Sequence, residues 1–413
     1  MNQQKHLESK SMSIALFAFL FLMYAVVYMT KNMFSSAMAI IVEEGFMTKT
    51  QTGFINAVFW FVYAIFQFAG GFAVDKYSPH KLVMIGLGGA AIANLIIFFN
   101  QSYPVIIAAW ALNAALQFGL WPGIFKIVST QLKPDMRGTA VFWLLFSTSV
   151  GIGLSMLVAS FVGHWQNNFL ISAVSLLVIL LVYPVLNRCM DKKMVVEETA
   201  STLCDTPSAT QKAPMLPLVI SSGFIIFLIV CLFRGAIDNG IKMLTPVMLM
   251  ESYDQLPAAI ATRMSSVLII FSALGILLSG VIQRKITKCE AKAQILLYSL
   301  SILPLILVCF VGRIHYIYIL LSLSLAVMLL HGASPFSQSF AALHFEKYGR
   351  IGTASGILNA TASVGNILAS YVFAKMAETM PWSGVAASWL IVIIGCGVLC
   401  AAVLPAWTKF VKK

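Results

Sequence analysis

Charge is scarce in this 413-residue chain: Asp, Glu, Lys and Arg make up 10% of it, and Asp plus Glu number only 15. A soluble domain carries about 25% charged residues, so this chain lacks the polar surface to coat itself against water. That excludes a cytosolic globular enzyme, a disordered scaffold and a secreted disulfide module. The seven cysteines are scattered without paired metal-ligand spacing, and Cys231, Cys309, Cys396 and Cys400 lie in apolar runs. Nucleotide-binding loops and a convincing nucleophile–base pair are missing, as is a domain that interleaves basic and aromatic residues. No enzymatic chemistry, cofactor, metal or nucleic-acid partner is expected.

What is present is apolar: 60% of residues, with a mean hydropathy of +0.89. The solvent has to be lipid. About 20 apolar residues in helical form cross the ~30 Å hydrocarbon layer, and twelve such stretches occur, over 12–41, 50–74, 81–99, 104–131, 138–163, 167–187, 217–249, 258–282, 292–311, 315–343, 352–376 and 384–407. The short alternating segments of a membrane barrel are missing. Placing the amino terminus and alternate loops on one side puts nineteen Lys and Arg there, against Lys49, Arg313 and Lys375 opposite. The basic-loop bias therefore predicts a multi-pass protein of the plasma or inner membrane with both termini cytoplasmic. The net charge of +12 then reports topology.

The longest polar stretch, 188–214, follows the sixth span and divides the chain into 1–187 and 215–413, joined by what reads as a mobile cytoplasmic linker. The halves echo each other. Arg137-Gly138-Thr139-Ala140 opens the fifth span, and Arg350-Ile351-Gly352-Thr353-Ala354 the eleventh. Gly71, Asp75 and Lys76 follow the second span, whereas Gly280, Arg284 and Lys285 follow the eighth without the acid. The glycine permits close helix approach and the carboxylate accepts from a helix amino end or pairs with a basic group. Gly71, Asp75, Lys76 and Arg137 are thus candidates for a conformational latch, or for an ordinary solvated turn. The expected fold class is an all-α membrane protein of twelve transmembrane helices in two six-helix, pseudo-symmetric bundles.

Ionisable groups inside a span cost at least ~2.5–3.5 kcal/mol by insertion scales, so each needs a reason. Lys31 lies too deep in the first span to snorkel and is expected to face a central cavity, either to attract an anion or to pair with Asp238. Tyr24 and Tyr28 share its helix face. Arg234, Asp238 and Lys242 follow one another at four-residue steps on the seventh span, as a self-neutralising ladder or as a switch with Asp238 as its protonatable member. His331 in the tenth span is a proton relay or a hydrogen-bonded structural residue. Asn113, Gln117 and Asn359 are polar candidates for the cavity wall or for interhelical bonds. Lys126 either lines an inner vestibule or snorkels to headgroups, Arg263 suits an interface anchor, and Phe59-Trp60-Phe61 reads as lipid-facing or gate packing.

Three stretches carry a family resemblance. They are Tyr24 to Phe34 with Ala37, Met38, Glu44, Gly45 and Phe46; Tyr63 to Phe68 running on to Asp75; and Trp121 to Lys126 running through Arg137 to Trp143. Together with the 6+6 layout and the Gly71/Asp75/Lys76 loop, they resemble the major facilitator superfamily, and within it the organophosphate:phosphate antiporters. The resemblance implies alternating access and substrate held between the halves. It also implies anion binding by basic groups on helices one and seven. Here Lys31 stands at the first of those positions and Asp238 at the second, with Gln67 in place of a lysine and Ser147 in place of a histidine. A phosphate dianion would be repelled by Asp238 in a low-dielectric cavity. Three readings stay open: an alternating-access carrier of a small polar, anionic or zwitterionic metabolite, sugar-phosphate-like or an organic acid; a proton-coupled sugar-acid or organic-anion symporter; and a non-transporting sensor of sugar phosphates. The expected partners are a small molecule, the bilayer, and a proton or counter-anion, with the protein a monomer.

Overall fold

In the computed structural model, residues 4–7, 9–191, 194–197, 215–345, 348 and 350–412 are described. Twelve long helical segments account for most of them. They are α1 (Lys10–Glu43), α2 (Lys49–Lys76), α3 (Pro79–Phe99), α4 (Tyr103–Gln131), α5 (Pro134–Phe161) and α6 (Trp165–Asp191) in the first half. In the second half come α7 (Phe224–Ser252), α8 (Ala258–Lys285), α9 (Glu290–Val308), α10 (Tyr316–Leu343), α11 (Ile351–Leu368) and α12 (Trp382–Lys412). A short helix, Met215–Ser222, precedes α7. Among the described residues nine helices are long and apolar enough to cross a bilayer. The other three, α2, α5 and α11, complete the series of twelve. The protein is a multi-pass membrane protein whose spans are helical.

Packing repeats between the halves. In the first, α1 lies on α5 and α3 on α6; in the second, α7 lies on α11 and α9 on α12. Glycine makes the first crossing of each set possible. A Cβ at Gly151 of α5 would collide with the Ala25 carbonyl and sit 2.6 Å from the Tyr28 Cβ, and one at Gly365 of α11 would collide with the Leu232 carbonyl of α7. The first half has a core of Leu16, Leu20, Met23, Leu87, Leu120 and Leu144, the second one of Phe224, Phe227, Phe345, Trp407 and Phe410. Phe99, Phe161, Leu181, Leu303 and Ile391 are each more than two-thirds exposed. Apolar surface of this extent is stable only against acyl chains.

Two compact units result. One comprises 1–37 and 58–208, the other 38–57 and 209–413. The end of α1 and the start of α2 therefore pack with the second unit, and polar contacts explain why. Lys49 Nζ lies 2.8 Å from both carboxylate oxygens of Glu251, which also accepts from Trp382 Nε1 at 2.9 Å. Glu378 accepts from the Thr50 N–H at 2.8 Å and the Thr50 hydroxyl at 2.6 Å, and Glu43 accepts from the Ala258 N–H at 2.9 Å.

The stretch expected to be a mobile linker is partly ordered. α6 continues to Asp191, and β2 (Met194–Glu197) pairs antiparallel with β1 (Gln4–Leu7), Leu7 opposite Met194. Met194-Val195-Val196 carries the β-branched residues that favour a strand, and buried Leu7 joins the core of the first unit, which fixes the register. Residues 198–214 lie outside the described residues.

Candidate functional site

In the first unit the site forms around Lys31. The first helix is interrupted immediately after it: Asn32 donates both its N–H, at 3.2 Å, and its side-chain amide, at 2.9 Å, to the Tyr28 carbonyl. Lys31 is only 4% exposed. Its ammonium lies 3.4 Å from the ring centroid of Tyr63, 4.9 Å from Trp60, 5.1 Å from Tyr28 and 5.7 Å from Phe59. Seven-residue spacing on α1 brings Tyr24 onto the same face, where it meets Tyr28 edge-on at 5.0 Å and stacks on Trp121 at 5.2 Å.

Among the described residues Lys31 has no carboxylate within ion-pair distance. The rings stand in for one. A desolvated cation over an aromatic face gains about 2 kcal/mol, which offsets part of the cost of a charge in the membrane. An aromatic box stabilises the cation without neutralising it. In this low-dielectric setting an anion is attracted most strongly to the protonated form of Lys31.

Part of this box was not legible as such. Phe59-Trp60-Phe61 was expected to face lipid or pack at a gate. Phe61 is indeed 56% exposed, but Phe59 is buried and lines the Lys31 pocket with Trp60. The available signal was the spacing on α2, which places Phe59 and Trp60 each about one helical turn before Tyr63. Gln67, one turn beyond Tyr63, is half-buried on the same helix.

The remaining polar candidates of this unit sit on α4 and α5. Gln117 Nε2 donates to Asn113 Oδ1 at 2.6 Å, both residues are buried, and Asn113 Nδ2 has no partner. α4 tightens here into a 3₁₀ turn, Gln117–Gly119. Ser147 is fully buried and gives its hydroxyl to the Leu144 carbonyl at 2.6 Å. At the other end of α4, Arg137 donates to the carbonyls of Leu132 at 2.9 Å and Thr130 at 3.1 Å, satisfying orphan acceptors of the helix terminus. Lys76 is exposed beside the Tyr77 ring. Gly71, Asp75 and Asn359 fall in helices, but their side-chain surroundings lie outside the described residues.

The second unit holds a separate buried cluster. Asp238 Oδ2 lies 2.8 Å from Lys242 Nζ and 2.9 Å from His331 Nδ1, and the two nitrogens are 3.2 Å apart. His331 Nδ1 either donates to Asp238 or accepts from Lys242, so one proton position decides which bond it makes. The second step of the ladder on α7 is formed. At the first step Arg234 is buried with an unpartnered Nε, and Asp238 Oδ1 is likewise buried without a partner. With two fixed cations against one carboxylate, the helix keeps a positive excess. α10 leaves regular α geometry just after His331, turning into a π-helical stretch at Phe336–Phe340.

Comparison with known proteins places this architecture. Residues 20–370 match the Major Facilitator Superfamily. The chain belongs to that superfamily. Over 420 residues it is 22% identical to a protein of Chlamydia trachomatis named "Probable hexose phosphate transport protein", covering 95% of this chain and 90% of the relative. It is 26% identical over 130 residues to the "Membrane sensor protein UhpC" of Salmonella typhimurium, 32% of this chain and 29% of that one. A bacterial homologue of the human lysosomal transporter Spinster shares its fold with a TM-score of 0.76 at 14% identity, covering 98% of both chains. This major facilitator protein is a membrane transporter by fold and family, and not an enzyme. Its relatives include proteins named as hexose phosphate and glycerol-3-phosphate transporters, in keeping with the antiporter resemblance of its first, second, fourth and fifth helices.

Proposed function

We propose that the protein moves a small polar anion, a phosphate ester or an organic acid, across a bacterial-type plasma membrane by alternating access. One observation carries this reading: a buried ammonium, Lys31, boxed by four rings and lacking a carboxylate among the described residues. The anionic group of the substrate pairs with Lys31, and the Tyr24 and Tyr28 hydroxyls and the free amide of Asn113 take its polar groups. Gln117, half-buried Gln67 and Ser147 complete the expected wall in this unit. The halves 1–187 and 215–413 are the moving bodies, with Gly71, Asp75, Lys76 and Arg137 as the cytoplasmic latch, both termini inside and the protein acting as a monomer.

The Asp238–Lys242–His331 cluster acts as the coupling element, because a proton taken up there changes which of three groups are bonded. This favours proton symport over strict exchange for a counter-anion. Reconstituted protein tests it. Uptake of a radiolabelled sugar phosphate or sugar acid, driven by an imposed pH gradient with no internal counter-substrate, indicates symport; uptake only with internal anion indicates exchange. Lys31→Gln is expected to abolish either, and Lys31→Arg to keep it. Full activity in Lys31→Gln would remove the anion reading. The similarity to a sensor protein supports a second reading, in which ligand binds without counterflow.

A further inference from the structure

The loop after α8 repeats the loop after α2 with its charge reversed: Arg284 stands four residues past Gly280, where Asp75 stands four past Gly71. The second copy of the latch thus lacks its acid. At that place the structure has a hollow of about 490 Å³, lined by Gln283, Arg284, Lys288, Glu290 and His344, with Phe340 and Leu343 as its apolar wall. The volume falls within the ~300–1,000 Å³ of small-molecule sites.

The charges around it are unequal. Glu290 is buried, and both its oxygens are engaged, Oε1 with His344 Nε2 at 2.8 Å and Oε2 with Trp407 Nε1 at 2.9 Å. Its charge is held on the inner wall. Arg284 spends only its Nε, on the Gly280 carbonyl at 3.0 Å, and neither Arg284 nor Lys288 forms an ion pair among the described residues. The guanidinium fork that remains matches phosphate geometry, and Lys288 and the Gln283 amide add donors.

We propose that this hollow binds a phosphate group, carried by a soluble anion or by an anionic lipid headgroup, which supplies the negative charge missing from the second latch. The site is independent of Lys31 and of the substrate reading. Thermal unfolding of the full-length protein in detergent with phosphatidylcholine tests it, with inorganic phosphate or phosphatidylglycerol added. The expected result is a rise in Tm with at least one probe, since a ligand that binds only the folded state stabilises it. The rise persists in Lys31→Gln, falls in Lys288→Gln and vanishes in Arg284→Gln/Lys288→Gln. It is unchanged in Lys81→Gln/Lys133→Gln, which removes as much charge from other loops. A response to phosphatidylglycerol alone assigns the site to lipid; a response to inorganic phosphate assigns it to a soluble anion. No response to either probe, or an equal loss in the Lys81→Gln/Lys133→Gln control, overturns the proposal. So does a response lost in Lys31→Gln but kept in the Arg284→Gln/Lys288→Gln variant.

Discussion

Lys31 and Asp238 are both buried charges, yet their surroundings give opposite consequences for mutation. Lys31 has rings and no counter-charge, so Lys31→Met removes an uncompensated cation and fills the same volume with an apolar chain. The expected outcome is loss of about 10- to 100-fold in substrate affinity, the worth of a charge-assisted hydrogen bond, with Tm unchanged or raised. Ligand-dependent thermal shift measures both together. Asp238 is the shared acceptor for Lys242 and His331. Asp238→Asn leaves cations buried without their partner, a loss of about 3–5 kcal/mol in comparable buried pairs. A lowered Tm and a flattened pH dependence of uptake are expected; unchanged values for both would remove the coupling role.

The same two residues show how far sequence alone reaches. A lysine deep in an apolar run announces itself, because nothing but function or pairing keeps a charge there. Its box does not, since Phe59, Trp60 and Tyr63 look like any aromatic turn of a membrane helix. The four-residue steps of Arg234, Asp238 and Lys242 put them on one face of α7, but only the formed bonds distinguish Arg234, with its unpartnered Nε, from Lys242, bonded to Asp238. His331 lies 93 residues beyond Asp238, and no local pattern encodes a contact over that separation.

At the scale of elements, two crossings set where these side chains stand. Gly151 holds α5 against α1 at Tyr28, beside Lys31. Gly151→Leu would drive the helices apart at a cost of about 1–3 kcal/mol. The expected signature is reduced Tm with a larger loss of uptake than Gly395→Leu, where a Cβ meets open space. The repeat made the helix order and most boundaries legible, since long apolar runs must be helices in lipid. It did not make legible the interruption at Asn32, the 3₁₀ turn in α4 or the π-helical turn in α10, which depend on local hydrogen bonds rather than on hydropathy.

The contacts of 38–57 belong to this scale too. Beyond the apolar run of α11, burial works against ionisation of Glu378, but the Thr50 hydroxyl and N–H outweigh it and hold the carboxyl below its ordinary value of 4.5. A lowered folded-state pKa means that this contribution is complete above the unfolded value and fades as pH falls through the folded one. Hydrogen-exchange protection factors over residues 48–56, corrected for the intrinsic pH dependence of exchange, are therefore expected to fall as the medium is acidified below about 4.5, and to be low at neutral pH already in Glu378→Ala.

At the scale of the whole molecule, the uneven placement of basic residues, the apolar outer surface and the repeated helix packing all require a bilayer. The β1–β2 ladder has a practical consequence at this scale. It anchors the chain's opening residues beside the end of α6, with Leu7 tucked into the interior. A purification handle fused ahead of residue 4 would press on that pairing, whereas one appended after α12 extends from a helix terminus. Expression yield and monodispersity should accordingly favour the trailing fusion.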